Sequence, residues 1–360
     1  GSRTLFADGY PYCTKIKVDF MKHSSFFDKI HWRVLTSLLL LICGYTQGQR
    51  PQPETPYGIH DPVMIKQDST YYLFCTGMGI SCYSSTDMNH WTRAAPVFKE
   101  PLAWAVKAVP GYKGHTWAPD ISYHNGKYWL LYSVSAFGKN TSCIGLAENV
   151  TLDPDSKDFK WVDHGKLIQS VPGRDDWNAI DPNMIYDQDN HPWVCFGSFW
   201  DGIKMVQLKD DLSALKEPEA WFSLAKRQRA FNGQDTAAGD GAIEGPFIFK
   251  KENCYYLFVS FDYCCRGLNS NYKVMVGRSR ELKGPYLDKN GVPMTEGGGS
   301  VVVSGNRRYP GVGHCGVYDF NGQDYIIFHG YDRVKGGMPR LLIEKLKWDA
   351  NGWPYIDGLD

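Results

Sequence analysis

The sequence has no surplus of either charge: 39 basic residues face 39 acidic ones over 360 positions. A chain without basic excess has little with which to neutralise a phosphate backbone, which argues against nucleic acid as a partner. Long apolar runs are missing too. The apolar stretch from Val34 to Cys43 is ten residues long, about half of what a bilayer-spanning helix needs. No membrane-spanning segment is therefore expected in the mature chain. The ten cysteines include no CxxC pair, so a zinc site is not signalled. Amphipathic helical periodicity is scarce as well. In its place stand short aromatic or β-branched runs separated by Gly, Asn, Asp and Pro, with aromatics at 14%. That pattern reads as all-β.

The first 49 residues are set apart from the fold. Gly1-Ser2 reads as a cloning scar, and residues 3–20 as upstream sequence with no assigned role. From Met21 the chain is mildly basic, then apolar through Leu38-Leu39-Leu40-Leu41, then small and polar over residues 44–48. This order is the layout of a signal peptide and predicts a secreted or periplasmic protein. Residues 50–360 are expected to form one domain. Several of its eight cysteines, Cys75 and Cys195 among them, lie in apolar runs and read as buried free thiols. The adjacent Cys264 and Cys265 read the same way, with a strained disulfide as the alternative.

A repeat organises the rest. His60-Asp61-Pro62-Val63 leads to the aromatic run from Tyr71. Pro119-Asp120-Ile121 leads to Tyr128, Ile180-Asp181-Pro182-Asn183 to Trp193, Ile243-Glu244-Gly245-Pro246 to Tyr255, and Gly313-His314-Cys315 to Tyr325. In each unit a polar residue opens a short apolar strand and an aromatic strand returns. Asn125-Gly126 and Asn321-Gly322 are strong hairpin turns between such strands. The opening residues stand at 61, 120, 181, 244 and 314, intervals of 59, 61, 63 and 70. Units of this length carrying several strands predict a five-bladed β-propeller of four-stranded antiparallel blades around a central channel. If the openers occupy one place in every blade, the fold gathers four acids and His314 at the channel mouth. Carboxylates held together cannot all ionise, so one stays an acid while another serves as base. Cleavage of a glycosidic bond uses such a pair.

The strings His60-Asp61-Pro62, Trp117-Ala118-Pro119-Asp120, Asn178-Ala179-Ile180-Asp181-Pro182-Asn183 and Ile243-Glu244-Gly245-Pro246 resemble glycoside hydrolase family 43. Ser142 to Ala147 and Phe261 to Gly267 are similar to its endo-α-1,5-L-arabinanases. The resemblance implies an inverting enzyme with Asp61 as general base, Glu244 as general acid, and Asp181 tuning the acid and orienting the substrate. It implies arabinan or its oligosaccharides as the substrate, and a calcium ion that His314 helps to hold among waters. Asp120 is expected to fix the loop presenting Trp117. Trp117, Phe137 and Trp200 are candidate stacking platforms for furanose rings, with Gly145, Asn178, Asn183 and Ser198 lining the sugar's path. A monomer is expected.

Three other readings compete. An exo-acting arabinofuranosidase or β-xylosidase of the same family would share the catalytic frame. It often carries a further β-sandwich, for which little chain remains after the fifth unit. A retaining fructan hydrolase would carry Arg-Asp-Pro where this chain has Ile180-Asp181-Pro182. A non-catalytic sugar-binding propeller would tolerate loss of an acid, yet all three are present.

Overall fold

The computed structural model describes residues 55–228 and 239–359. The leader assigned to residues 1–49 lies outside the described residues. Five antiparallel blades form a ring, as the repeat predicts. The first blade contains β1 (Val63–Gln67), β2 (Thr70–Cys75), β4 (Ser81–Ser85) and β5 (Thr92–Arg93). Between β2 and β4, the short β3 (Gly77–Met78) leaves that sheet for the second blade. There it joins β6 (His115–His124), β7 (Lys127–Val134), β8 (Ser142–Asn149) and β9 (Val162–Ser170). The third blade is β10 (Asn183–Tyr186), β11 (Pro192–Phe196), β12 (Ile203–Gln207) and β13 (Phe222–Ala225). The fourth is β14 (Ile243–Lys251), β15 (Cys254–Phe261), β16 (Lys273–Ser279) and β17 (Ser300–Ser304).

The fifth blade departs from the expected four strands. Its sheet has only β18 (Val312–Phe320), β19 (Gln323–Asp332) and β20 (Met338–Lys345). The start of the domain supplies the missing edge. Tyr57 bridges Arg340, Gly58 N donates to Pro339 O at 2.8 Å, and Thr55 Oγ1 donates to Leu341 O at 2.7 Å. The ring is thereby closed by backbone pairing between the two ends of the domain. The strand expected at Trp353-Pro354-Tyr355 is present as β22 (Pro354–Tyr355). It pairs with β21 (Lys347–Trp348) in a separate ribbon rather than in a blade.

The core consists of wedges between neighbouring blades, and the second strand of each blade feeds two of them. Leu130 packs toward the first blade and Leu131 toward the third. Val194 and Cys195 split in the same way between the second and fourth blades, as do Leu257 and Phe258 between the third and fifth. Successive side chains of a strand face opposite sides. A strand buried on both faces therefore reads as a continuous apolar run, which is why these runs were the clearest feature of the sequence.

The opening residues do not all occupy one register. A residue with positive φ recurs where each first strand begins: Asp61 (54°), Ala118 (36°), Asp181 (58°), Gly245 (58°) and His314 (54°). Three of these sit in bulges, where the register shifts between Trp117 and Asp120, Glu244 and Phe247, and Gly313 and Gly316. Asp61, Asp181 and His314 are thus equivalent. Glu244 lies one residue before the matching position and Asp120 two after it. The expectation of five matched openers is corrected here: the blades align on Pro62, Pro119, Pro182 and Pro246, each directly after the turned residue.

Candidate active site

Backbone amides of the turned residues tie the blades together. Ala118 N donates to Thr76 Oγ1 (2.8 Å), Asp181 N to Ser133 Oγ (3.0 Å) and His314 N to Ser260 Oγ (2.8 Å). Asp61 N donates to His329 Nδ1 (3.2 Å). Each acceptor stands toward or just past the end of the second strand of the preceding blade. At the third blade Gly197 occupies that place and offers no side chain. Gly245 N turns instead to Asp181 Oδ2 at 3.1 Å. A Cβ on Gly245 would come within 3.0 Å of His314 Nδ1, so the close approach of the fourth and fifth blades requires glycine there.

This ring gathers two contrasting carboxylates. Asp61 is buried among imidazoles. Its Oδ1 lies 2.8 Å from His60 Nδ1 and 3.1 Å from His314 Nδ1, and its Oδ2 accepts from Thr76 Oγ1 at 2.6 Å. Burial alone would raise its pKa. The charge of His60 and the facing His314, with the His60 hydrogen bond, outweigh burial and hold Asp61 well below the usual carboxylate range. His60 is correspondingly raised, because Asp61 overcomes the desolvation of its ring. His329 behaves differently: burial and the His60 charge keep it well below the ordinary histidine value. Its Nδ1 accepts from Asp61 N, so the 3.8 Å approach to Asp61 Oδ1 is contact with a neutral ring.

Among the described residues Glu244 meets no cation. Ser198 Oγ donates to its Oε2 at 2.7 Å and Tyr272 OH to its Oε1 at 2.8 Å. Its acidic neighbour is Asp181, whose own pKa is raised well above the ordinary value by burial and then by the Glu244 and Asp61 charges. Asp181 and Glu244 are two carboxylates in one dry place, the arrangement in which a proton is retained.

The remaining predicted residues separate into distinct places. Asp120 and Asn183 form an inter-blade clamp. Asp120 accepts from Met184 N (2.7 Å) and Asn183 Nδ2 (3.3 Å), while Asn183 Oδ1 accepts from Ile248 N (2.8 Å). Burial pushes Asp120 up to about 7. Asn183 is thus engaged by protein groups. Gly145 is buried in β8, where a Cβ would lie 2.3 Å from the Tyr132 ring, so packing alone demands glycine there. Ser198 reaches Glu244 directly. Trp117 is half-buried, with Nε1 bonded to His115 Nδ1 at 2.8 Å. Phe137 is 81% exposed on the β7–β8 loop. Asn178 and Trp200 are buried, and Asn178 Oδ1 and Trp200 Nε1 have no protein partner among the described residues. A bound hydroxyl or water would satisfy them. Phe199 and Trp200 also hold consecutive positive φ values, 56° and 39°, backbone strain of a kind that clusters at functional sites.

Several site residues carried no assigned role in the sequence. His60 adjoins Asp61, a signal that was available. His329 takes the place that Thr76, Ser133 and Ser260 fill in other blades. Tyr272 gives no sequence signal. Beside His60 lies the vicinal pair: Cys264 Sγ and Cys265 Sγ are 2.7 Å apart, and Cys265 Sγ is 3.8 Å from His60 Nε2. Both are free thiols as expected but not buried ones, Cys264 being half-buried and Cys265 exposed; Cys75, Cys143, Cys195 and Cys315 are free and buried.

A five-bladed ring that gathers Asp61, Asp181 and Glu244 in one buried place has the carboxylates that glycoside hydrolysis uses. The sequence profile of Glycosyl hydrolases family 43 matches residues 51–354, and the chain belongs to that family. It is 46% identical over 329 residues to the extracellular exo-α-(1→5)-L-arabinofuranosidase of Cellvibrio japonicus, covering 91% of this chain and 93% of that one. It is 43% identical over 300 residues to the extracellular endo-α-(1→5)-L-arabinanase 1 of Bacillus subtilis, covering 82% and 87%. The solved α-L-arabinanase of Cellvibrio cellulosa, complexed with arabinohexaose, superposes with a TM-score of 0.83 at 47% identity, covering 84% and 96%.

Proposed function

We propose that this protein hydrolyses the α-1,5-L-arabinofuranosyl linkages of arabinan with inversion, using Asp61 as general base and Glu244 as general acid. The observation that carries the reading is a buried Asp61 held ionised among imidazoles beside a second buried pair of carboxylates, Asp181 and Glu244. Imidazoles keep Asp61 ionised and ready to take a proton from water. Glu244 stands next to the buried Asp181, whose pKa is raised, and as the acid it delivers a proton to the leaving oxygen. Water attacks the anomeric carbon as the glycosidic bond breaks, and one proton enters at Asp61 while one leaves Glu244. A separation of about 6.5–9.5 Å between the two carboxyl groups suits this route. Asp181 orients the substrate and tunes the acid. Trp117, Phe137, Asn178 and Trp200 line the sugar's path. Ser198 positions Glu244.

The substrate assignment is supported by the names of the relatives, all of which act on arabinan-type linkages by those names. Internal attack is the first reading. Release from chain ends is the second, and the 46% identity to an enzyme named as exo-acting favours it. The names of these relatives include the word extracellular, which supports export; a monomer is the working assembly.

Calcium is assigned to His314. Nδ1 of that ring faces Asp61, leaving Nε2 as its unpartnered donor among the described residues. A single nitrogen fits a calcium ion held mostly by water, since calcium otherwise prefers oxygen. When bound, the ion supplies fixed positive charge near the axis. Calorimetric titration with calcium tests it: binding that His314→Ala abolishes is expected, and unchanged binding would contradict it.

The function is tested by following product lengths on linear α-1,5-arabinan over time, with the anomeric configuration read by proton NMR. Mixed oligosaccharides of inverted configuration support endo attack. Arabinose or one short product from the outset supports the exo reading. Retained configuration would overturn the assigned roles.

A further inference from the structure

We propose that His60 Nε2, Cys264 Sγ and Cys265 Sγ form a site for a thiophilic divalent cation, zinc or cadmium, and that its occupation inhibits the enzyme. The three donor atoms lie within 4.8 Å of one another. Two thiolates and an imidazole are a donor set that selects soft or borderline cations over calcium or magnesium. A second feature points the same way. The far side of the His60 ring is already held by a carboxylate, with Nδ1 2.8 Å from Asp61 Oδ1. Metal-ligating histidines characteristically donate their other ring N–H to such a partner, which fixes the ring and strengthens the donor nitrogen.

The setting allows entry and adjustment. Cys265 is exposed and Cys264 half-buried, so the pair lies at the surface rather than in the core. Cys265 holds a positive φ of 62°, and its N–H donates to Tyr331 OH at 2.7 Å. The loop is therefore anchored by its backbone rather than by the thiols. Zinc–sulfur bonds of about 2.3 Å in a tetrahedral site require the two sulfurs to swing apart from 2.7 Å. His60 Nε2 must also give up its 2.8 Å contact with Tyr331 OH. Binding releases the protons carried by Nε2 and the thiols. Three protein donors leave a fourth position for water.

Inhibition follows from where the site stands. A cation on Nε2 fixes the ring that Asp61 Oδ1 contacts at 2.8 Å, and so holds in one position the carboxylate that must reach the attacking water. This clause rests on the reading of Asp61 as base; the cation site itself does not.

The test uses the full chain, reduced with a phosphine that does not compete for metal and then desalted. Cadmium is titrated in while the ultraviolet thiolate-to-cadmium charge-transfer band is recorded, and zinc is titrated into the hydrolysis assay. One cadmium per chain is expected. Cys264→Ser and Cys265→Ser should each weaken binding by roughly ten-fold or more and relieve zinc inhibition in step. Circular dichroism verifies that the variants fold. A full band in the double serine variant, or none in the parent, would overturn the site. Loss of the band in the variants, with zinc never affecting hydrolysis of the parent, would overturn the inhibition. A chain that binds cadmium as stated yet leaves arabinan intact would refute the functional reading and leave the cation site standing.

Discussion

Asp61 and Glu244 are both buried carboxylates at one channel mouth, and their surroundings could hardly differ more. Around Asp61 the neighbours are imidazoles and one hydroxyl. Around Glu244 they are two hydroxyls and another acid. On the proposed reading the difference is what assigns Asp61 as base and Glu244 as acid. The backbone repeat only delivers the carboxylates; the side chains of adjacent blades then set the surroundings of each. The same repeat delivers Asp120, which backbone and amide donors enclose and which becomes a clamp between blades.

The largest effect comes from abolishing one side of the contrast. Asp61→Asn and Glu244→Gln should each lower kcat on arabinan by about 10² to 10⁴-fold, the range for loss of a general base or acid. Steady-state kinetics on folded protein checks this.

A sharper, smaller change keeps Asp61 and removes its partner. His60→Gln takes away the largest influence lowering the Asp61 pKa. That pKa should rise toward the ordinary value, so the acidic limb of the pH–rate profile should move to higher pH. An unmoved limb would mean that Asp61 does not govern it. On the other side, Tyr272→Phe removes one donor to Glu244 and should cost about 1–2 kcal/mol of transition-state stabilisation, roughly ten-fold in rate.

The smallest catalytic effect belongs to Asp120, the carboxylate outside the contrast. Its folded pKa of about 7 lies above the unfolded value near 3.8. The native state therefore binds the extra proton between those values, and stability falls as pH rises through that window. Asp120→Asn should flatten this part of the stability–pH curve, measured by thermal unfolding, while leaving the pH–rate profile in place.

Much of this was legible in the sequence. Doubly buried strands announce themselves as apolar runs, so the blades at Tyr71, Tyr128, Trp193, Tyr255 and Tyr325 stood out. Asp61, Asp181 and His314 share both a position and a turned backbone. The slip at Glu244 and Asp120 was hidden because matching by charge aligned residues that the bulges set apart. Prolines 62, 119, 182 and 246 carried the true register, since each follows the residue whose φ is positive. The turn of Gly245 N to Asp181 Oδ2 follows from Gly197, a bare position whose consequence only three-dimensional neighbours reveal. Tyr272 reaches Glu244 from β16's entry, which no local pattern marks.

The most direct test of the division into base and acid varies the leaving group. Asp61→Ala and Glu244→Ala would be compared on arabinan and on an aryl arabino-oligoside whose phenolate leaves without protonation. The account predicts that Glu244→Ala loses far more activity on arabinan than on the aryl substrate, while Asp61→Ala loses as much on both. The opposite pattern, with Asp61→Ala rescued by the good leaving group and Glu244→Ala not, would contradict it.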